Sequence, residues 1–563
     1  MKDEYRHFIT KFVRPYALTM IILIALSFVG TLFSFFTPLL AKSLVDDVFI
    51  GGKTDLFGYI LLGTAGTYVI SSLSNFISSY KKGKLDLVLF NDVAKEVFNA
   101  IQLASIEKTQ DMKVGDLLSR IVVNTRSAIN MFTYIVPEFT ISVVRIIAPL
   151  TIMLFLNLQL TLIVVIPALL FLLPMSFFGK RLENTQKASL IKTASIYSFI
   201  KENLSMMPLI KAFVLEKWSR DKFDKEMRGY LDASIDYTKN SSMNSSVGSL
   251  MNGIPMVLLI LFGGPMVIHG SLTIGTFTAF ISYISLFFGP VSQLAFLWSF
   301  YKSSLPAFDR INNVLMLEKD EGGEEELIMK DGIVEFNEAW FSYNNRSILH
   351  GLNATFTKGL NYIVGDNGTG KSTILKLLCS LYSLDKGQIK IDGQDISELR
   401  KDSLRKNISM IFSEPYLFDG SIYENIHIGN LLASKEKIIH ASKQVGAHQF
   451  IIDLPQGYQT QVGESGLKLS TGEKQKIALA RAILKNSPIV LLDEVTRSID
   501  IDSRRSIKEV IKGLKREKTV IIITHDANEI EPGSNIVYLA QEMQRGDDGY
   551  HSIDISMSKA AFS

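Results

Sequence analysis

Gly365-Asp-Asn-Gly-Thr-Gly-Lys-Ser-Thr373 decides how the second half of the chain folds, because it fits the phosphate-cradling P-loop pattern at every fixed position. Its glycines let successive backbone N–H groups turn toward one anion. Lys371 supplies a point charge for the outer phosphates, and the Ser372 hydroxyl is placed to reach Mg²⁺. Apolar Leu360 to Val364 reads as a strand entering the loop, and Ser372 to Leu378 reads as a helix whose N-terminus faces the phosphates. Gly365, Asp366, Asn367, Gly368, Thr369, Gly370, Lys371, Ser372 and Thr373 are therefore the candidate nucleotide-binding residues.

The first half of the chain has a different character. With 563 residues, 47% hydrophobic residues and a mean hydropathy of +0.21, the composition argues against a wholly soluble protein, and the length allows several domains. Tyr16–Leu40, Leu56–Tyr80, Val247–Ile268 and Leu272–Tyr301 carry no charged residue, and each is long enough to cross ~30 Å of hydrocarbon as a helix. Met131–Leu156 and Leu160–Gly179 read as a further pair hinged at Asn157-Leu-Gln159, although the first holds Glu138 and Arg145. The expected total is about six membrane helices.

Loop charges orient these spans. Lys2, Arg6, Lys11 and Arg14 precede the first, Lys81, Lys82 and Lys84 follow the second, Lys180 and Arg181 follow the fourth, and Lys302 follows the sixth. The opposite connections are short and nearly free of basic residues, which puts both termini in the cytoplasm. The first apolar run is too long for a signal-peptide core and reads as a retained helix. A net charge of +3 is then loop bias, with no case for a nucleic acid partner. The lone Cys379 excludes an intrachain disulfide and a cysteine zinc cluster and reads as a small core residue.

Two charged, helical stretches, Lys81–Ala128 and Lys180–Asn240, extend the membrane helices into the cytosol as arms. Met112–Arg120 and Glu202–Phe213 offer short segments at their far ends. Leu317-Glu-Lys-Asp-Glu-Gly-Gly-Glu-Glu-Glu326 reads as a solvated acidic connector. The expected domains are 1–315 for the membrane part with its arms, 316–330 for the linker, and 331–563 for an α/β nucleotide-binding domain. Within that domain, Pro488-Ile-Val-Leu-Leu-Asp-Glu494 reads as a buried strand that places Asp493 beside the Mg²⁺ and Glu494 toward attacking water. Val520-Ile-Ile-Ile-Thr-His525 is a second apolar strand presenting a histidine.

Leu469-Ser-Thr-Gly-Glu473, followed by Lys474-Gln-Lys-Ile-Ala-Leu-Ala-Arg481 and placed before the Asp493-Glu494 strand, gives the chain a specific likeness. It resembles an ATP-binding cassette (ABC) exporter half-transporter, a helical membrane domain fused to an α/β P-loop domain, over nearly its whole length. The resemblance implies that Tyr343 stacks on adenine, that Lys371, Ser372 and Asp493 hold phosphates and Mg²⁺, that Glu494 polarises water, and that His525 lies near the γ-phosphate. It also implies that Ser470 and Gly472 complete the site of a second chain. The resulting expectation is ATP-driven export of a small molecule, peptide or lipid by alternating access. The setting would be a bacterial plasma membrane, with ATP and Mg²⁺ as cofactors and membrane lipid and the cargo as partners.

Three departures from the family pattern bear on turnover. Thr471 and Glu473 stand where the signature usually has glycine and glutamine, Ser413 stands where a glutamine usually links metal and arms, and the loop after Glu494 reads Arg497-Ser-Ile-Asp500. A serine reaches the metal only through a water. A homodimer is the favoured assembly, with an asymmetric heterodimer as the alternative, and an ATP-gated regulator or channel is the competing function. Only about fifteen residues precede the first span, so no N-terminal peptidase domain is expected. Arg145 is the cargo clue, since an ionisable residue inside a span marks function, yet pairing with Glu138 seven residues earlier explains it equally well.

Overall fold

The computed structural model describes residues 2–563 apart from 111, 113, 171, 345, 464–465, 497–500, 527–528, 545–551 and 558–563. The chain divides into two compact units, one formed by residues 1–98 and 114–315, the other by residues 99–113 and 316–563.

The first unit is helical. Five runs are long and apolar enough to cross a membrane: Tyr5–Ile50, Asp55–Leu103, Val114–Leu156, Glu216–Ile268 and Ile274–Leu315. The fourth expected span is instead described as Leu158–Leu170, which contains Pro167, followed by Leu172–Ser205. Asp55–Leu103 has 49 residues and is about 73 Å long at the helical rise, more than twice the hydrocarbon thickness. The excess length makes the first arm. In the second arm the short helix Met207–Ala212 joins Leu172–Ser205 to Glu216–Leu258.

Lipid gives no hydrophobic reason for helices to associate, so close approach and polar pairs must hold them together. The first two spans use small residues for this. Ser71 Oγ donates to Gly30 O at 2.9 Å, Ser27 and Ser78 hydroxyls lie 2.5 Å apart, and a Cβ on Gly30 would stand 3.0 Å from that of Ser74. The last helix supplies the centre of a core in which Phe280, Tyr283 and Phe288 are fully buried with Met153, Leu160, Val164 and Leu259. Tyr283 keeps its hydroxyl satisfied by donating to Phe35 O at 2.6 Å.

The second unit contains β1 (Val334–Tyr343), β2 (Arg346–Phe356), β3 (Gly359–Gly365), β4 (Lys386–Ile391), β5 (Gln394–Asp395), β6 (Ile408–Ile411), β7 (Ile489–Asp493), β8 (Thr519–Ile523), β9 (Asn535–Gln544) and β10 (Ser552–Met557). One sheet runs β2-β1-β4-β5 and is antiparallel, the other runs β10-β9-β3-β8-β7-β6. From β9 to β6 the second sheet is parallel. Every position of β7 and of β8 is buried, which is why both read as unbroken apolar runs without alternation. Parallel order sends the C-terminal ends of β3, β7 and β8 to one edge, where ligands bind in such sheets.

Two expectations change here. The acidic stretch is fastened to its domain and is no free connector. Asp320 accepts from Lys401 Nζ and Arg405 Nη1, each at 2.6 Å, Gly323 N–H donates to Leu399 O at 3.0 Å, and Leu327 is buried. A Cβ on Gly323 would fall 2.0 Å from Glu398 O, so only glycine lets the backbone lie so close. The tip of the first arm also lies earlier than Met112–Arg120. The helix Ile106–Thr109 belongs to the nucleotide unit, where Leu103 O accepts from Asp320 N–H at 2.7 Å and Ser105 N–H donates to Glu318 O at 3.3 Å, whereas Val114–Ser119 belongs to the membrane unit.

Candidate active site

The P-loop is built as its sequence requires. Gly368 and Gly370 have φ of +85° and +86°, the left-handed region that a Cβ disfavours. A Cβ on Gly370 would also meet Ile348 Cγ2 at 2.7 Å, and one on Gly365 would meet Leu539 O at 2.3 Å. Thr369 Oγ1 closes the loop by donating to Asp366 O at 2.9 Å. The helix Lys371–Leu378 follows directly. Lys371 Nζ donates to the carbonyls of Gly365 (2.8 Å) and Asp366 (2.6 Å), so its ammonium is folded back over the loop. Burial pushes the Lys371 pKa down, against the pull of the Glu494, Asp366 and Asp493 carboxylates.

The neighbouring strand ends deliver the carboxylates. Ser372 Oγ donates to Asp493 Oδ1 at 2.9 Å, joining the P-loop helix to the end of β7. Burial pushes the Asp493 carboxyl up, the Ser372 bond opposes this, and the nearby Glu494 charge adds to it. A hydroxyl and a carboxylate held together in this way are the hard oxygen donors Mg²⁺ takes, so the pair fits that ion. Glu494 follows with φ of +49°, a conformation rare outside glycine and asparagine, and its N–H is held by Ile523 O at 3.2 Å. His525 Nε2 lies 2.6 Å from Glu494 Oε1. Asn367, Glu494, Thr496, Arg504, Thr524 and His525 line a cavity of about 350 Å³ at this edge.

The signature segment starts a helix. Ser470 caps Thr471–Lys485 in a reciprocal box, in which Glu473 Oε2 accepts from the Ser470 N–H and Oγ–H, each at 2.8 Å, and Ser470 Oγ accepts from Glu473 N–H. Glu473, which stands where the signature usually has glutamine, is thus part of a helix cap. Its cap role was legible in the S-x-x-E spacing. Gly472 is buried in the first turn. Further along, Gln475 Nε2 donates to Ser413 O at 2.9 Å, and Arg481 binds Tyr416 O and Asn425 O at 3.0 and 2.8 Å. The segment after β6 is therefore tied to the signature helix.

Not every expected residue joins this centre. No hydrogen bond or ion pair among the described residues connects the Ser413 side chain to Ser372 or Asp493. Tyr343 meets the ring of Phe341 at 4.8 Å and that of Tyr382 at 5.1 Å, both edge to face, and its hydroxyl is buried without a hydrogen-bond partner among the described residues. Arg497–Asp500 lies outside the described residues. Cys379 is buried with its thiol pushed up to about 12, an inert core residue.

In the membrane unit, Arg145 Nη1 donates to Glu138 Oε1 at 3.2 Å. Glu138 also takes Gln293 Nε2 at 3.0 Å and lies 3.7 Å from Lys82 Nζ, beside a cavity of about 100 Å³. The pairing of Arg145 with Glu138 is thus present. Lys82, read from the sequence only as a loop charge, and Gln293 were missed because their partner lies on another helix.

Residues 20–291 match the family described as ABC transporter transmembrane region, and residues 349–497 match the family described as ABC transporter. The chain is 29% identical to the putative multidrug export ATP-binding/permease protein YgaD of Bacillus subtilis (strain 168), over 94% of this chain and 93% of the relative. It is 26% identical to the ATP-dependent lipid A-core flippase of Syntrophus aciditrophicus (strain SB), over 94% and 89%. The solved structure of a bacterial Atm1-family ABC exporter with ATP bound superposes with a TM-score of 0.81, covering 94% of each chain at 24% identity, a likeness of fold.

Proposed function

The chain belongs to the ABC transporters as an exporter half-transporter, an ATPase coupled to ATP-driven export, and from that premise we propose how its residues divide the work. The observation that carries the proposal is the convergence of Lys371, Ser372, Asp493, Glu494 and His525 at one edge of the parallel sheet. Lys371 leaves the Gly365 and Asp366 carbonyls and donates to the outer phosphates, which compensate its buried charge. Ser372 and Asp493 hold Mg²⁺, which when bound neutralises charge on the transferring phosphate. Glu494 orients the attacking water and accepts its proton, and His525 fixes the Glu494 carboxylate. Tyr343 receives the adenine.

Ser470 and Gly472 are read as acting on the nucleotide of a second chain, as a half-transporter requires. Two chains, favoured as identical, then make two sites. The Glu473 carboxylate is already bonded by the Ser470 hydroxyl, so that hydroxyl must turn to face a phosphate. The loop charges support cytoplasmic termini in a bacterial membrane.

For cargo, the cluster of Lys82, Glu138, Arg145 and Gln293 supports a small amphipathic molecule or lipid whose polar head meets these groups. A cavity of about 100 Å³ holds one polar head and not a whole cargo. The multidrug and lipid exports named for the relatives agree with that class. The test is Mg-ATP-dependent accumulation of a fluorescent amphiphile in inside-out vesicles of the purified chain, with its mass measured in detergent. Accumulation by a two-chain particle, lost in Arg145→Ala with ATPase activity retained, is the expected result. Turnover without any vectorial uptake would favour the regulator or channel reading.

A further inference from the structure

The end of the P-loop helix leads straight to the arm tip. Tyr382 stands just beyond Lys371–Leu378, and its hydroxyl donates to Gln110 Oε1 at 2.8 Å. Beside it, the Ser383 N–H donates to Glu107 Oε1 at 2.6 Å. The same Tyr382 ring meets that of Tyr343 at 5.1 Å and 90°, and both meet Phe341 edge to face. One side chain therefore touches the expected base platform with its ring and the membrane arm with its hydroxyl.

Edge-to-face contacts depend on ring orientation, so a turn of Tyr343 changes what Tyr382 packs against. The Tyr343 hydroxyl has no hydrogen-bond partner among the described residues, which leaves ring contacts to set its orientation. A base stacked on its free face would fix that ring. At Ser413 the other route from metal to arm lacks the long amide that would span it, and among the described residues it is the backbone carbonyl that takes a hydrogen bond there.

We propose that Tyr382 is a positioning residue that transmits base occupancy at Tyr343 to the arm tip at Gln110, giving this chain a coupling route that starts from the adenine and bypasses the metal. The proposal rests on reading Tyr343 as the base platform. It requires that the arm tip sense the base of the nucleotide and not its phosphates alone.

The test is hydrogen exchange of residues 103–110 in the full-length chain in lipid nanodiscs, with saturating Mg-AMP-PNP or with Mg-tripolyphosphate, which has no base. AMP-PNP should slow exchange there and tripolyphosphate should not. In Tyr382→Phe, which keeps the ring and removes the hydroxyl, the slowing by AMP-PNP should shrink roughly twofold to tenfold, the size of one neutral hydrogen bond. Gln110→Ala, which leaves the ring cluster untouched, should give the same loss, and the double variant should add nothing further. Equal slowing by tripolyphosphate, or full slowing in Tyr382→Phe, would overturn the route. Tyr343→Ala separates the two readings. Unchanged AMP-PNP affinity in that variant removes the base platform and the route with it, whereas weakened affinity beside undiminished slowing in Tyr382→Phe removes the route alone.

Discussion

His525 Nε2 lies 2.6 Å from Glu494 Oε1, so the residue beyond the end of β8 restrains the carboxylate beyond the end of β7. The carboxylate only accepts, so the ring nitrogen donates and holds one Glu494 oxygen in place. Glu494→Gln should therefore leave ATP binding intact and lower turnover by about 10²–10⁴-fold, the loss of a general base. His525→Ala should cost less, because it frees the carboxylate without deleting it. Phosphate release and labelled-ATP binding measure both, and near-normal turnover in Glu494→Gln would assign the water to another residue.

Metal dependence should follow pH in a direction set by Asp493. Its carboxyl titrates above the ordinary 3.8 because it is buried, and Mg²⁺ binds the deprotonated form. Apparent Mg²⁺ affinity should be complete above the raised pKa and fall as pH drops through it. The loss should therefore begin at a higher pH than an exposed aspartate would give. Mg²⁺ titration of ATPase activity across the acid range measures this, and a midpoint at or below 3.8 would contradict the burial argument.

Gly370→Ala tests the P-loop backbone. The left-handed conformation alone costs a residue with a Cβ about 1–2 kcal/mol, and the new methyl would press on Ile348 Cγ2 at 2.7 Å. We expect ATP affinity to fall by about 5–30-fold, which is what that cost amounts to as a binding constant. Unchanged affinity would mean that the loop takes another path.

Two substitutions at Glu473 separate its roles. Glu473→Gln keeps an acceptor for the Ser470 N–H and should preserve the helix, while removing a charge expected to face phosphate, so turnover should rise. Glu473→Ala also removes the cap and should destabilise the nucleotide domain by about 0.5–2 kcal/mol. Thermal unfolding with ATPase assays distinguishes them, and equal effects of both would show that only the cap matters.

How far the sequence was legible depended on the range of each interaction. The P-loop, the buried strands and the membrane helices declare themselves because their signals are local: glycines at fixed spacing, unbroken apolar runs, long uncharged stretches. Ser372 and Asp493 could be paired only through knowledge of how parallel sheets gather their strand ends. The acidic stretch misled because its answering charges, Lys401 and Arg405, stand 81 and 85 positions from Asp320. Lys82 misled likewise, since composition assigns it to a loop while Glu138 on another helix receives it. Tyr382 carries no motif at all, and its significance is created by rings and an amide that only folding brings together.

The placement of residues 99–113 within the nucleotide unit has a consequence for biosynthesis. Glu107 precedes Ser383, the residue whose N–H it binds, by 276 positions. On the ribosome the arm tip thus emerges long before any surface exists to receive it, and it must wait through the synthesis of the remaining membrane helices. Domains generally fold as units from the N-terminus, but this one is closed by a segment made far ahead of the rest. A nascent chain arrested before Tyr382 would leave the carboxylate of Glu107 and the amide of Gln110 without these partners.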